Sequence, residues 1–326
     1  MMFIGVDHGT NAMRFAGVGK GDVKTFELPR SEVASMSGPE ILDSFTSNLG
    51  VDISDIELAA VTYSMGDGIA AIEDLKDVSS RGVISIEGVG KKTGAGTRIF
   101  DAIKESVIPA VLIPGIHSKS NTDPRMNVFS HSTSPEKIGI AYNAYCRGVD
   151  DFVVSDISSN TVTVGVCGGK LVGAIDACIF APGTQHGPLD LEAIRDVDAG
   201  KCSANDAFMN AGVLSRSPYS SVNELLEALK GKEDEAVLAM DRISLFAAME
   251  IAAMQVLMED HGARGEVFLA GSMGEEDHVV GRIGRHMGVT PAVLGKWSAS
   301  IGCAEIARDI AGGAGRILGL DVNFSF

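Results

Sequence analysis

Two short segments of the chain pair an aspartate with small polar residues in a pattern suited to binding phosphate. The first runs from Asp7 to Asn11 and the second from Asp156 to Thr161, and each follows a largely apolar stretch. In a tight turn, backbone N–H groups can form a nest for phosphate oxygens, and a carboxylate can hold Mg²⁺ through water. Either segment alone is most simply an ordinary hairpin turn; the matched pair favours a phosphate site.

The two segments indicate an internal duplication. Asp156 lies close to half the chain length after Asp7, and an asparagine follows each aspartate by four residues, at Asn11 and Asn160. Each half then continues with an apolar run and a glycine turn, which is typical of a hairpin. The duplication predicts two similar domains, over residues 1–148 and 149–326.

Beyond the hairpins, helices and strands alternate, which predicts α/β domains with largely parallel strands and with sites at the strands' carboxyl ends. The pattern predicts strands at 56–63, 108–113, 266–270 and 290–293, and helices at 38–49, 97–106, 135–147, 189–195, 222–229, 236–258, 277–287 and 302–311.

A third turn follows the predicted strand 266–270. It contains Gly271, Ser272, Met273, Gly274 and Glu275, and a helix comes next. Glycines at this spacing let the backbone approach a nucleotide closely. A tight connection between strand and helix is the plainer interpretation, but three such turns in this order are more specific than any one.

The composition excludes some classes of partner. The chain has 43 acidic and 27 basic residues, a net charge of −16, which disfavours nucleic acid and anionic membranes. Five cysteines without C-x-x-C spacing favour a reduced, cytoplasmic protein. The apolar stretch 236–258 carries charges, so we predict a long buried helix whose four methionines (Met240, Met249, Met254 and Met258) fill the core.

The three turns together resemble the phosphate-1, phosphate-2 and adenosine motifs of the acetate and sugar kinase, Hsp70 and actin superfamily. Phe129 to Ser134 resembles a segment of acetate and butyrate kinases. The whole chain, particularly its beginning and the stretch from Asp176 to Leu189, is similar to the archaeal methanogenesis marker protein 12 family. The resemblance implies duplicated ribonuclease H-like (actin-like ATPase) domains, with ATP and Mg²⁺ in an interdomain cleft. It implies metal-organising roles for Asp7 and Asp156, substrate contacts for Asp67 and His131, and nucleotide contacts for Gly9, Thr10, Asn11, Ser158, Ser159, Asn160, Thr161 and the residues Gly271 to Glu275.

The chain departs from this pattern at three places. Acetate kinases have a histidine where Asp156 stands and an arginine in the loop that holds Ser64 to Gly68 here. Both cations would stabilise an acyl phosphate, so their replacement argues against simple acetate kinase activity. Ser158 and Ser159 also stand where the second phosphate turn normally has glycines.

Three other features have a functional and a plain interpretation. The glycine-rich stretch 88–98 lacks P-loop spacing and is a lid over the substrate or a solvated loop. His117 and His131 form a metal pair only if folding brings them together, and His131 contacts substrate or caps the helix at 135. Gly302 to Glu305 begins the last predicted helix, whose N-terminus suits an anion.

These observations leave three functions open. The first is an ATP-dependent phosphotransferase acting on a small, anionic metabolite. The second is an ATP-driven conformational switch or activator of a partner protein, related to methanogenesis, and the third is a non-catalytic scaffold with a decayed nucleotide site. A homodimer or a protein partner is compatible with each.

Overall fold

The computed structural model describes residues 1–10, 12–19, 21–62, 68–82 and 94–326. The chain forms two compact units. The first unit comprises Met1–Asp150, Gly168–Leu171 and Trp297–Phe326, and the second comprises Asp151–Cys167 and Val172–Lys296. The predicted domain boundary between residues 148 and 149 stays a prediction.

The strands in chain order are β1 (Met2–His8), β2 (Ala12–Val18), β3 (Val23–Pro29), β4 (Ile56–Val61), β5 (Ile72–Asp74), β6 (Ala110–Leu112), β7 (Ile116–His117), β8 (His131–Thr133), β9 (Phe152–Ile157), β10 (Thr161–Cys167), β11 (Lys170–Ile175), β12 (Glu266–Ala270), β13 (Ala292–Val293), β14 (Arg316–Ile317) and β15 (Leu320–Asn323).

The α-helices are α1 (Arg30–Val33), α2 (Gly38–Leu49), α3 (Ala95–Glu105), α4 (Glu136–Tyr145), α5 (Leu191–Asp198), α6 (Ala204–Met209), α7 (Val222–Lys230), α8 (Asp234–Asp260), α9 (Gly271–Gly274), α10 (Asp277–Met287) and α11 (Ser298–Ala311).

The first unit is built on an eight-stranded sheet in the order β14-β15-β5-β6-β4-β1-β2-β3. Strand β1 pairs antiparallel with β2 and parallel with β4. Helix α2 begins at a capping box in which Ser37 and Glu40 exchange hydrogen bonds, as S/T-x-x-E sequences do. Its Phe45 packs on Phe15, which stacks on Phe26 at 4.6 Å between ring centroids. The aromatic cluster ties α2 to the sheet.

The second unit repeats this plan. Its sheet has the order β11-β10-β9-β12-β13, with β9 antiparallel to β10 and parallel to β12. Asp156 therefore stands near the end of its first strand, as Asp7 does in β1. The predicted duplicated α/β fold is confirmed.

Helix α11 packs into the first unit through glycines. A Cβ on Gly5 would overlap the carbonyl of Ser300, and a Cβ on Gly302 would overlap the carbonyl of Gly139 in α4. Side chains at these positions would hold the backbones apart, so the glycines set how closely α11 approaches β1 and α4. The interpretation of Gly302 as a helix start was wrong, because the helix already begins at Ser298.

The long helix α8 differs from its prediction on one face. Met240, Met254 and Met258 are buried, but the Met249 side chain is 47% exposed. Met249 is therefore not a core residue, because it lies on the side of α8 that faces solvent. No helix among the described residues is long and apolar enough to cross a membrane.

Candidate functional site

The turn after β1 places a buried carboxylate beside a cation. Asp7 is 3% exposed, and its Oδ2 lies 3.6 Å from Nη1 of Arg14, its register partner on β2. Arg14 was not predicted from the sequence. The register of the hairpin could have indicated it, because the register determines which residue of β2 lies opposite Asp7.

A second cation closes the same turn. Arg30 Nη1 donates to the carbonyl of Gly9 at 3.0 Å. A Cβ on Gly9 would lie 2.7 Å from the carbonyl oxygen of Ala12 and 3.0 Å from Nη1 of Arg14, so the turn has no room for a side chain here. Two guanidinium groups therefore border the turn, which suits an anionic ligand. Arg30 lies 23 positions after Asp7 in sequence, and no short-range pattern marked it.

His8 lies at the base of this turn as a neutral side chain. The backbone N–H of His8 donates to Thr62 Oγ1 at 3.3 Å, and its ring Nδ1 lies 3.2 Å from the same oxygen. Burial, and then the positive charge of Arg30, lower the pKa of His8 to about 3, while the Gly96 backbone and Glu136 act in the opposite direction. His8 is therefore uncharged at neutral pH, which rules it out as an acid there.

The start of α4 holds a buried ion pair. Lys137 is 4% exposed and its Nζ lies 3.1 Å from Glu136 Oε1, to which Ser134 Oγ also donates at 2.5 Å. Burial opposes ionisation of Glu136, but Lys137 and Ser134 outweigh it and the pKa of Glu136 is lowered. Glu136 is therefore ionised at neutral pH. The sequence interpretation selected neither residue.

The two predicted nucleotide turns of the second unit are in contact. Ala270, at the end of β12, is the register partner of Asp156 on β9. Gly271 follows with φ of +80°, and a Cβ there would overlap Oδ1 of Asp156 and lie 2.5 Å from the carbonyl oxygen of Ile157. Only glycine fits this position, because the backbone conformation and the close approach both exclude a side chain.

The loop from Thr184 to His186 supports the predicted phosphate turn through hydrogen bonds to its backbone. Thr184 donates through its N–H and its hydroxyl to the carbonyl of Ser158, at 3.0 and 3.2 Å. The N–H groups of Gln185 and His186 donate to the carbonyl of Ser159, at 3.0 and 2.8 Å. These bonds hold the turn in one conformation, which pre-organises it for a ligand.

Other predicted site residues have varied positions. Met273 and Gly274 are buried, whereas Ser272 and Glu275 are exposed. The buried side chain of Met273 leaves only its backbone for ligand contacts. Asn11 and Asp67 lie outside the described residues, as does most of the stretch 88–98.

His117 and His131 are brought together as register partners of β7 and β8. His117 Nε2 lies 2.9 Å from the carbonyl oxygen of Ile69, and the N–H of Lys119 donates to its Nδ1 at 3.2 Å. Because both ring nitrogens of His117 have partners, a metal pair is not supported. The part of the chain that the structure describes contains no group of three or more His, Cys, Asp or Glu able to hold a metal ion.

Comparison with known sequences identifies archaeal relatives along the whole chain. The UPF0285 protein of Methanosarcina mazei is 60% identical over 324 residues, covering 99% of this chain and 100% of the relative. UPF0285 proteins of Methanococcus maripaludis and Methanocaldococcus jannaschii are 44% and 42% identical, each with the same coverage. No family model matches the chain.

Several solved structures with the same fold are kinases. Acetate kinase from Porphyromonas gingivalis aligns with a TM-score of 0.68 and 13% identity, over 95% of this chain and 99% of that one. A propionate kinase from Francisella tularensis gives 0.67 and 11%, over 94% and 99%. A ROK family glucokinase from Streptomyces griseus, solved with glucose and AMPPNP, gives 0.52 and 15%, over 95% and 100%. At these identities the likeness shows the fold alone.

Proposed function

The chain belongs to the UPF0285 family, and from its kinase fold and the geometry of its turns we propose that it is an ATP-dependent phosphotransferase acting on a small, anionic metabolite. The narrower assignment to the methanogenesis marker protein 12 family stays a prediction.

The contact between Gly271 and Asp156 carries the proposal. It joins the turn assigned to adenosine and the turn assigned to phosphate at the carboxyl ends of neighbouring strands, where α/β folds bind ligands. Nucleotide contacts are assigned to Ser158, Ser159, Asn160, Thr161 and Gly271 to Glu275 in the second unit, and to Gly9, Thr10 and Asn11 in the first.

The charges around the first turn support an anionic ligand. Arg14 and Arg30 border the backbone from Asp7 to Thr10, and phosphoryl transfer depends mainly on positioning and charge neutralisation. These arginines would supply positive charge in a chain without the histidine and arginine of acetate kinases. Asp67 and His131 remain the proposed substrate contacts.

The donor set fits Mg²⁺ that arrives with the nucleotide. Asp7 and Asp156 are both nearly buried carboxylates, and Mg²⁺ in such enzymes is held by one or two carboxylates together with substrate phosphates and waters. Asp7 and Asp156 are each proposed as a carboxylate that would orient such an ion, which when bound neutralises phosphate charge. A resident metal would require more protein ligands than the described residues gather.

Titration calorimetry with Mg-ATP tests the binding site. We expect binding by the wild type and a loss of at least about tenfold in affinity in Asp156→Asn, since one charge-assisted interaction contributes on the order of 1.5 kcal/mol. Asp43→Asn, on the exposed face of α2, is the matched control. If the wild type does not bind Mg-ATP at millimolar concentration, the proposal fails and a decayed site is favoured.

Phosphate release then separates a kinase from an ATP-driven switch. The wild type is assayed alone and with a panel of small carboxylates and phosphorylated acids. We expect ATP turnover to depend on one class of metabolite and to produce a phosphorylated product. Turnover that ignores every metabolite and rises only with a protein partner would replace the kinase with the switch.

A further inference from the structure

Helix α8 presents an apolar face to solvent along most of its length. Leu238, Leu245, Met249 and Val256 are 43%, 43%, 47% and 65% exposed, and Ala252 between them is exposed as well. A solvent-facing side of a helix is normally polar. Contiguous exposed apolar residues mark an interaction surface.

The spacing of this face is that of a coiled-coil seam. The exposed apolar residues fall on a series of positions spaced alternately four and three residues apart. Two charged residues, Arg242 and Glu259, occupy further positions of the same series. We call this set the α8 stripe: Leu238, Arg242, Leu245, Met249, Ala252, Val256 and Glu259. A 4-3 repeat lets a second helix pack along the whole stripe with side chains interlocking.

The two charges of the stripe have no ion-pair partner among the described residues of this chain. Arg242 donates one hydrogen bond to the carbonyl of Arg216, at 3.2 Å, and keeps further guanidinium donors. Glu259 is exposed near the end of the helix. Opposite charges at opposite ends of an apolar seam are complementary to a second copy of the same seam that runs the other way.

We propose that α8 is the interface of a homodimer in which two copies of the helix pack antiparallel. The two-fold axis passes between positions 250 and 251. In this register Arg242 faces the second copy's Glu259, Leu245 faces its Val256, and Met249 faces its Ala252. The symmetry repeats each pair, as in any isologous interface, so two ion pairs flank an apolar centre.

Other arrangements of the same helices pair like charges. A parallel pair would place Arg242 beside its own copy. An antiparallel pair centred on Ala247 would place Glu235 opposite Glu259. Like charges in contact oppose association, so the charges select the proposed register. This inference is independent of the proposed phosphotransferase function.

Sedimentation equilibrium of the full chain tests the proposal. We expect the wild type to be a dimer and the double variant Leu245→Glu with Met249→Glu to be a monomer, since charge would enter the apolar centre. Val107→Glu is the control, because Val107 is 79% exposed in the first unit and lies outside the stripe. A monomeric wild type, or a dimer that survives the double variant, overturns the proposal.

Charge exchange tests the register. Arg242→Glu and Glu259→Arg should each weaken the dimer by about tenfold, since each replaces two ion pairs with two repulsive pairs. The double variant with both changes should regain the wild-type dimer constant. Both this double variant and Arg242→Glu lose the hydrogen bond from Arg242 to the carbonyl of Arg216. If the double variant dimerises like the wild type, the weaker dimer of Arg242→Glu is due to the contact between copies and not to the loss of that bond. A double variant as weak as the single ones overturns the register.

Discussion

Gly271 lies directly against the carboxylate of Asp156, with no room for a Cβ between them. The two residues come from the ends of β12 and β9, which pair side by side in the second sheet. The proposed phosphate and adenosine turns are thus positioned by one strand pairing, and a change in either turn should affect the other.

Gly271→Ala should damage both stability and Mg-ATP binding. The residue has φ of +80°, and the added methyl would overlap Asp156 and Ile157, so we expect a loss of roughly 1–3 kcal/mol in the free energy of unfolding. Gly281→Ala is the control, because a Cβ there meets nothing within 4 Å and the residue lies in α10, outside the proposed nucleotide turns. Denaturant unfolding and calorimetry measure the two effects. Equal stability and affinity in both variants would contradict the close approach.

Two helical glycines should respond to alanine with opposite signs. Gly302→Ala would overlap the carbonyl of Gly139 and force α11 away from α4, so we expect destabilisation of about 1–3 kcal/mol or more. Gly281→Ala, in the interior of α10, meets nothing within 4 Å and should stabilise by up to about 1 kcal/mol through helix propensity. Thermal unfolding of the two variants measures the difference. A stabilised Gly302→Ala would show that the helices are not in close contact.

His8 should make the protein sensitive to acid. The folded protein lowers the pKa of His8 to about 3, from the ordinary histidine value of 6.5. Between these values the unfolded chain holds a proton that the folded chain lacks, so stability rises with pH and is lost as pH falls. Between pH 6.5 and pH 4 the loss should be roughly 3 kcal/mol.

Urea unfolding across this pH range checks the effect of His8. In His8→Asn, the loss of stability between pH 6.5 and pH 4 should be smaller than in the wild type by most of that amount. His286→Asn, on the exposed surface of α10, should keep the wild-type slope. An unchanged slope in His8→Asn would mean that another group titrates.

Glu250 should lower the stability of the protein as pH rises, whereas His8 lowers it as pH falls. It is fully buried in α8; Thr163 Oγ1 lies 2.6 Å from its Oε2, and the N–H of Ala181 donates to its Oε1 at 3.4 Å. Burial raises the pKa of Glu250 well above its usual value and Asp176 adds to this, while the two hydrogen bonds act against it. The folded protein therefore holds a proton that the unfolded chain loses, and stability falls as pH rises from about 4.5 through the folded pKa.

Glu250→Gln tests this assignment. The amide keeps the shape and both hydrogen bonds but cannot ionise, so we expect near wild-type stability at pH 5 and a smaller decline toward pH 9. Glu105→Gln, on the exposed surface of α3, is the control. Urea midpoints at several pH values give the comparison. Parallel curves for wild type and Glu250→Gln would show that Glu250 is ionised in the folded state.

Local patterns predicted much of this fold. The strand 266–270 and the helices 38–49 and 277–287 have the predicted bounds, because apolar periodicity and caps act within a few residues. The matched aspartates also predicted the repeated plan of the two units. Short strands such as β5, β14 and β15 were missed, since two to four residues carry too little periodicity.

The surroundings of the candidate site were harder to predict than its turns. Arg30 reaches Gly9, and Thr184 reaches Ser158, across sequence separations of 21 and 26 residues. Such contacts depend on how whole elements pack, and one sequence carries no local mark of them. The exposed face of α8 was likewise not predicted, because the sequence alone does not show whether an apolar residue packs in the core or is exposed to solvent.

The position of α11 implies an order of events during synthesis on the ribosome. The nascent chain contains all of the second unit once Lys296 has emerged, but the helix that covers β1 comes only after it. The part of the first unit that is synthesised first, Met1–Asp150, leaves β1 uncovered until residues 297–326 have been synthesised. Translation from the N-terminus would thus leave the second unit free to finish folding before the first.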